Sequence, residues 1–456
     1  MEHELPLAQQ VATPNLVAHY MSRIWNLNPL VNAVVEACAP EEEEEAAEQD
    51  SFTEDQIISK AFFGLPFLVK DSLDVLGFHT TCGASVYEHN SPADGDCKLV
   101  ALLKRLRAIP IGKTNVPFLC QDVQTFNEVY GTTFNPYDAK LSAGGSSGGS
   151  AAAIALGLAA FAIGTDWNGS LRIPAAFCGV SSLRASRGRL TLDGSDRVLP
   201  HIPPNPCLTG EILVSGIFTR TVVDLKFLMS TLLPFLPSGE FQEDEESSFL
   251  GGAVNVGVWT LFNGVPLDTR IRDCMEAIPS MLEASNVAVN NPRLVVRAEL
   301  TNGPSLDMAR LHKALQVFTH NWDQFDVEVS SDRTRKLEAA LAVQSEGGTE
   351  VDRFLKFSGY AAVLTPVSAV LPHEHNYEHR PLKVNEVDVP YWRALTGYVA
   401  PFSVTGNPVV TMPLCVIDGR PCGIQVVGRR GCDRHLLDIC AYLEQQFAYK
   451  AHLHIN

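Results

Sequence analysis

Two serine-bearing loops and one lysine stand out for the chemistry they could do together. Gly144-Gly145-Ser146-Ser147-Gly148-Gly149-Ser150 leads directly into the Ala-rich stretch 151–160. Glycines let the backbone wrap closely around a reacting group. A helix start adds free N–H groups and a positive dipole end beside the serines. Gly164-Thr165-Asp166-Trp167-Asn168-Gly169-Ser170-Leu171-Arg172-Ile173-Pro174 reads as a strand end, a tight loop carrying a serine, then an Arg and a Pro. Consecutive N–H groups in such a loop can converge on one oxyanion.

A serine hydroxyl is a poor nucleophile until something takes its proton. No histidine lies in or beside either loop, whereas Lys70 ends the apolar run Phe63–Val69 and precedes Asp71. A lysine acts as a base only when neutral. Lowering its pKa from about 10.4 to about 7 costs roughly 4 kcal/mol, within what burial supplies. In an extended segment Lys70 and Asp71 point to opposite faces, so the carboxylate need not hold the lysine charged. Taken singly, each serine fits an ordinary turn and Lys70 an ion pair. The trio together points to serine catalysis.

The motifs around these residues resemble the amidase signature family. The resemblance rests on Lys70-Asp71 after Gly64-Leu65-Pro66, on the Gly144–Ser150 loop and on the Gly164–Pro174 motif continuing into Ala175. Ser146 and Ser170 are also 24 residues apart, as in the family. Lesser matches are Gly112-Lys113-Thr114-Asn115, Asn135-Pro136-Tyr137, Phe177-Cys178-Gly179 and Val404-Thr405-Gly406-Asn407-Pro408. The resemblance implies an α/β fold: a large mixed twisted sheet covered by helices on both faces. It also implies hydrolysis of an amide C–N bond through an acyl-enzyme on Ser170. Lys70 would be the ultimate base and Ser146, on a cis peptide, the bridging serine. The backbone of Trp167, Asn168, Gly169 and Ser170 would form the oxyanion hole. Asp166 and Arg172 read as a bracing pair, and Ser147 as a support for the relay or a turn residue. Asn168 stands where the family usually has glycine. The expectation is that it keeps a positive φ, which Asn tolerates better than most residues, and narrows the acyl pocket. Residues 240–400 match the family weakly, so no substrate is named.

Rival motifs fare worse. Gly144-Gly145-Ser146-Ser147-Gly148 fits the nucleophile elbow of α/β-hydrolases, but that reading needs a later Asp and His, and no distal His has a persuasive context. Gly112-Lys113-Thr114 lacks the first glycine of a phosphate loop, because Arg107 occupies its place. His375-Asn376-Tyr377-Glu378-His379 matches a zinc pattern that requires a helix, yet Pro372 and Pro381 bracket it. No metal and no cofactor are expected. An inactive amidase-like binding protein would be expected to have lost a member of the trio, and all three are present. The remaining alternative is the amidase subunit of a tRNA-dependent amidotransferase.

Charge bears on that alternative. The 456 residues carry a net charge of −17, with 52 acidic against 35 basic side chains. Such a surface repels phosphate backbones, so no nucleic-acid partner is expected. A small-molecule amide is the expected partner, and the assembly is open between monomer and homodimer. With no basic stretch followed by an apolar core at the amino end, no secretory signal is expected, and the longest apolar run, 151–164, is too short to span a membrane. Eleven cysteines without a Cys-x-x-Cys pair fit reduced thiols, and a cytoplasmic location is expected.

The elements that must position these residues alternate between strand and helix signals. A helix is expected to start at Thr13-Pro14 and run through Ile24, followed by a solvated charge run at Glu41–Glu48. Strands are expected at Phe63–Val69, Ile109–Gly112, Val254–Trp259, Ala362–Thr365 and Val409–Pro413. Helices are expected at Leu99–Leu106, Thr219–Leu236 and Arg434–Phe447. Looser segments lie at Thr191–Pro206 and Phe241–Ser248, neither long enough to separate autonomous units. One large α/β domain with insertions is the expected organisation.

Overall fold

The computed structural model describes residues 5–11, 15–38, 62–190, 212–236, 252–262, 264–288, 294–304, 306–307, 309–311, 313–315, 331–447 and 449. The expected helix start at Thr13-Pro14, the charge run Glu41–Glu48 and the segments Thr191–Pro206 and Phe241–Ser248 lie outside the described residues.

Fifteen strands are described: β1 (Val34–Ala37), β2 (Pro66–Lys70), β3 (Ile109–Thr114), β4 (Phe126–Asn127), β5 (Gly131–Thr132), β6 (Phe161–Asp166), β7 (Ser181–Arg184), β8 (Val214–Thr219), β9 (Gly252–Val258), β10 (Leu294–Leu300), β11 (Tyr360–Pro366), β12 (Leu382–Val384), β13 (Val387–Val389), β14 (Val409–Ile417) and β15 (Arg420–Gly428). Eleven of them form one sheet in the order β1-β3-β2-β6-β8-β7-β14-β15-β11-β9-β10. The sheet is mixed: β3-β2-β6 and β11-β9-β10 pair in parallel, and the strands between them pair antiparallel.

In β2, β6, β7 and β8 every residue is buried, which requires cover on both faces. That is why β2 reads as a continuous apolar run up to Lys70, whereas the polar residues of β6, β7 and β8 are buried too. Helix Gly148–Ala155 packs on β2, β6 and β8, and helix Asp433–Phe447 packs on β14 and β15. Phe67 on β2 and Phe161 on β6 are register partners whose rings stack at 5.1 Å, adding about 0.5–1.5 kcal/mol beyond burial.

Most boundaries follow the apolar pattern; β14 runs past Pro413 to Ile417, the helix expected through Leu236 ends at Leu232, and two further differences have a local reason. β3 does not turn at Gly112 but runs to Thr114, because Lys113 and Thr114 pair with β1 and β2; a Cβ at Gly112 would meet the Glu36 carbonyl of the neighbouring strand 2.4 Å away. This glycine serves close strand approach. The expected helix from Thr219 begins at Val222, because Thr219 ends β8 and the Thr221 hydroxyl caps the helix by accepting from the Asp224 N–H. Among the described residues no helix is long and apolar enough to cross a membrane.

Candidate active site

The parallel trio β3-β2-β6 sets the floor of the site. β2 ends at Lys70, which is fully buried. Its Nζ lies 2.6 Å from Ser146 Oγ and 2.9 Å from Thr165 Oγ1 on β6. Burial pushes the Lys70 ammonium down from the ordinary lysine range, opposed by the field of the Asp166 carboxylate. Asp71 turns to the other face, where it pairs with Lys113 at 3.2 Å and accepts from the Thr81 hydroxyl at 2.6 Å. Lys70 therefore keeps hydroxyl partners, and the adjacent carboxylate has its own cation.

Ser146 follows a cis peptide bond, Gly145–Ser146. Gly145 leaves no room for a side chain: a Cβ there would stand 2.7 Å from the Gln124 carbonyl and 2.8 Å from its N–H. Thr125 closes the same wall, its hydroxyl donating to the Gly144 carbonyl at 2.9 Å and accepting from the Gly148 N–H at 3.1 Å. Ser147, fully buried, joins the two serine loops. Its N–H donates to the Ser170 carbonyl at 3.2 Å and its hydroxyl to the Thr165 carbonyl at 3.3 Å.

Ser170 sits between β6 and helix Arg172–Cys178 and is 7% exposed. Among the described residues nothing hydrogen-bonds its hydroxyl, which leaves that oxygen for a ligand. Asp166 shapes the loop: its Oδ1 accepts from the Gly169 N–H at 2.8 Å and its Oδ2 from the Leu171 N–H at 3.1 Å. Arg172 grips the same carboxylate through Nε and Nη2, each at 3.0 Å. Arg172 also donates to the Val399 carbonyl at 2.7 Å and to Ser403 Oγ at 2.6 Å.

Two expectations for this loop are corrected. The motif places the Gly169 N–H in the oxyanion hole, but a carboxylate three residues back already accepts from it. The N–H groups of Asn168 and Ser170 have no acceptor among the described residues. Positive φ belongs to Gly169 (98°) and not to Asn168, so one glycine makes the turn and the residue before it need not. The Asn168 side-chain oxygen is buried and has no hydrogen-bond partner among the described residues. Trp167 is half-buried and packs against the core.

Several contributors escape the sequence reading. Thr165 lies inside the Gly-Thr-Asp motif and could have been found by its position one residue before Asp166. Cys120 could not. Leu119 and Cys120 both have positive φ (49° and 58°), and the Cys120 thiol lies near Lys70. Burial pushes that thiol up, which keeps it neutral. The segment 373–379 is the third. It lines the arms that lead to the Ser146 loop: Ser142 donates to the His373 carbonyl at 2.8 Å, and Gln124 exchanges two 2.9 Å bonds with the Asn376 backbone. His375 Nε2 meets the Ala139 carbonyl at 3.1 Å, while His379 Nε2 meets Asp122 Oδ2 at 2.9 Å. The two imidazoles of the H-x-x-E-H pattern thus serve different partners and do not converge.

The sequence model described as Amidase matches residues 15–302 and 306–437. The chain is 29% identical to the putative amidase AmiB2 of Mycobacterium tuberculosis over 455 residues, covering 95% of this chain and 92% of that one. It is 26% identical to a glutamyl-tRNA(Gln) amidotransferase subunit of Persephonella marina over 461 residues, covering 93% and 92%. In fold it is similar to 6-aminohexanoate cyclic dimer hydrolase solved with substrate, at a TM-score of 0.75 and 23% identity over 98% of both chains. With the family's sequence model spanning most of its length and the fold shared end to end, the chain belongs to the amidase signature family of amide hydrolases.

Proposed function

We propose that this chain hydrolyses a carboxylic amide through an acyl-enzyme on Ser170, with Ser146 and Lys70 as its proton relay. The observation that carries the proposal is the 2.6 Å contact between Lys70 Nζ and Ser146 Oγ in a fully buried setting. A neutral Lys70 takes the Ser146 proton as Ser146 takes the proton of Ser170. Ser170 Oγ then adds to the amide carbon. The developing oxyanion meets the N–H groups of Asn168 and Ser170, pre-aimed by the Asp166 brace and the Gly169 turn. Proton return through Ser146 to the amide nitrogen releases ammonia or an amine. Water, activated by the same relay, then frees the acid and restores Ser170. Cleavage consumes one water and needs no redox partner.

The experiment is active-site labelling. A fluorophosphonate should label the peptide containing Ser170, and Ser170→Ala should abolish both labelling and amide turnover. Labelling of Ser147 instead would favour an elbow-type hydrolase and overturn the proposal.

The likeness to a component of a tRNA-dependent amidotransferase favours one second reading, in which the released ammonia is passed to a tRNA-bound acyl group. The net charge of −17 weighs against a polyanion partner. Copurification of further polypeptides, with little free amidase activity, would select that reading.

A further inference from the structure

Trp167 and Asn168 mark the way in to Ser170. From Phe161 to Ser186 every residue is buried except these two, which are half-buried and adjacent on the Ser170 loop. Ser170 itself is 7% exposed. The loop opens to solvent along this pair, so a ligand that meets the Ser170 hydroxyl passes beside them. The backbone beneath them is held on two sides. Asp166 accepts from the N–H groups of Gly169 and Leu171 at 2.8 and 3.1 Å. On the other side a Cβ at Gly169 would meet Ile173 Cδ1 and Val399 Cγ2, each at 2.7 Å. The Asn168 carboxamide is therefore carried at a fixed place next to Ser170.

Four polar groups of this short loop have no partner among the described residues. Three of them are the N–H groups of Asn168 and Ser170 and the Ser170 hydroxyl, which the acyl-enzyme reading uses for the oxyanion and for attack. The fourth is the Asn168 side-chain oxygen, which is buried. A buried acceptor without a donor is costly and rare in a folded protein. Acyl transfer itself has no task for this oxygen. It is an acceptor, at the mouth of the site, awaiting a donor.

The substrate offers two places for that donor. The leaving nitrogen must face Ser146, which returns its proton, and Ser146 is engaged with Lys70 at 2.6 Å on the floor of the site. That leaves the acyl side to Asn168. The asparagine side chain is short, and its own N–H meets the oxyanion. A donor that reaches its oxygen thus sits close to the scissile carbonyl.

We propose that Asn168 determines specificity, its side-chain oxygen accepting from a hydroxyl or amino group on the acyl carbon next to the scissile carbonyl. This rests on the Ser170 acyl-enzyme reading and adds a substrate class to it, the amides of 2-hydroxy or 2-amino acids. An acyl group with a methyl in that position leaves the acceptor unpaired and is selected against.

The test compares lactamide, alaninamide and 2-methylpropanamide, which differ only in the group at that carbon. Isothermal titration of the Ser170→Ala chain, which binds without turnover, should show lactamide or alaninamide bound about tenfold tighter than 2-methylpropanamide. On the wild-type chain kcat/KM should rank the amides in the same order. In the Ser170→Ala background, Asn168→Leu keeps the volume, removes the acceptor and should bring the three affinities within about twofold. Asn168→Asp keeps an acceptor and should retain the preference. Without ligand, the unfolding temperature of Asn168→Leu should equal or exceed that of the wild type, because an unpaired buried carbonyl has gone. Equal affinities in the Ser170→Ala chain, a preference that survives Asn168→Leu, or a lower unfolding temperature in that variant would overturn the assignment. Failure of a fluorophosphonate to label Ser170 would instead strike the acyl-enzyme reading, and the binding comparison would still decide the role of Asn168.

Discussion

Lys70 sets the pH behaviour at the scale of single residues. Burial lowers its pKa, and the proposed relay requires the neutral form. Below the folded-state pKa the ammonium has no lone pair to accept the Ser146 proton, so activity must fall toward acid and not toward base. The expectation is an acid limb in kcat/KM that loses about tenfold per pH unit, and a loss of about 10²–10⁴-fold in Lys70→Ala at neutral pH. Initial rates on a primary amide across the pH range measure both, and the same acid limb in Lys70→Ala would sink the assignment. The closeness of Lys70 to Ser146 was legible only because their motifs occur together, since either residue alone has ordinary uses. The backbone of the Ser170 loop was not. Sequence alone cannot say which of Asn168 and Gly169 takes the positive φ, nor that the Gly169 N–H is already committed to Asp166. Cys120 was invisible for a related reason: nothing in its sequence context announces the left-handed backbone of Leu119 and Cys120.

Among the elements, segment 373–379 suggests one chemistry by its spacing and serves another purpose in the fold. Its histidines look like metal ligands, yet Pro372 and Pro381 keep it out of a helix, and its backbone instead pairs with two arms flanking the Ser146 loop. Asp122 is the hinge of that contact. Its carboxylate accepts from the buried Tyr391 hydroxyl at 2.8 Å and meets His379 at 2.9 Å, two residues before the Gln124 backbone that packs on Gly145. Asp122→Ala leaves Tyr391 unpaired, costing about 1–3 kcal/mol of stability. It also loosens the wall behind Ser146, so kcat should fall by about tenfold while KM changes little. Asp122→Asn keeps an acceptor for Tyr391 and an amide donor for the imidazole, and should recover most of kcat. Steady-state kinetics of the pair decide the matter, and indistinguishable kcat values in the two variants would refute the positioning role. No local pattern announces such a contact, because its partners lie about 250 residues apart and meet only through the sheet. Strands such as β2 were easier to read, since full burial there writes a continuous apolar run.

Across the whole molecule, one buried charge cluster pins distant parts of the chain behind Ser170. Asp166, Arg172 and Arg184 are all fully buried. They join β6, helix Arg172–Cys178 and β7 to helix Ala400–Thr405 through Ser403 and to β15 through Gln425. The Asp166–Arg172 pair is legible within one motif, but Arg184, Ser403 and Gln425 belong to segments whose spacing carries no such signal. Burial alone would raise the Asp166 carboxyl. The charge and hydrogen bonds of Arg172, with Arg184 beside them, reverse this and hold it well below the usual carboxylate range. Because the folded-state pKa is depressed, the unfolded chain binds more protons than the folded one between the folded-state value and about 3.9. The stabilisation is therefore complete above the unfolded-state pKa and is lost as pH falls toward the folded one. Asp166→Asn leaves two buried guanidinium groups without a counter-charge, and should cost about 3–5 kcal/mol at neutral pH. The gap between wild type and variant should narrow below about pH 4, as the wild type loses what the variant never had. Urea midpoints measured from about pH 7 down to about pH 3 test both the size and the slope. Parallel stability curves for the two proteins over that range would mean that the Asp166 charge does not hold this part of the fold together.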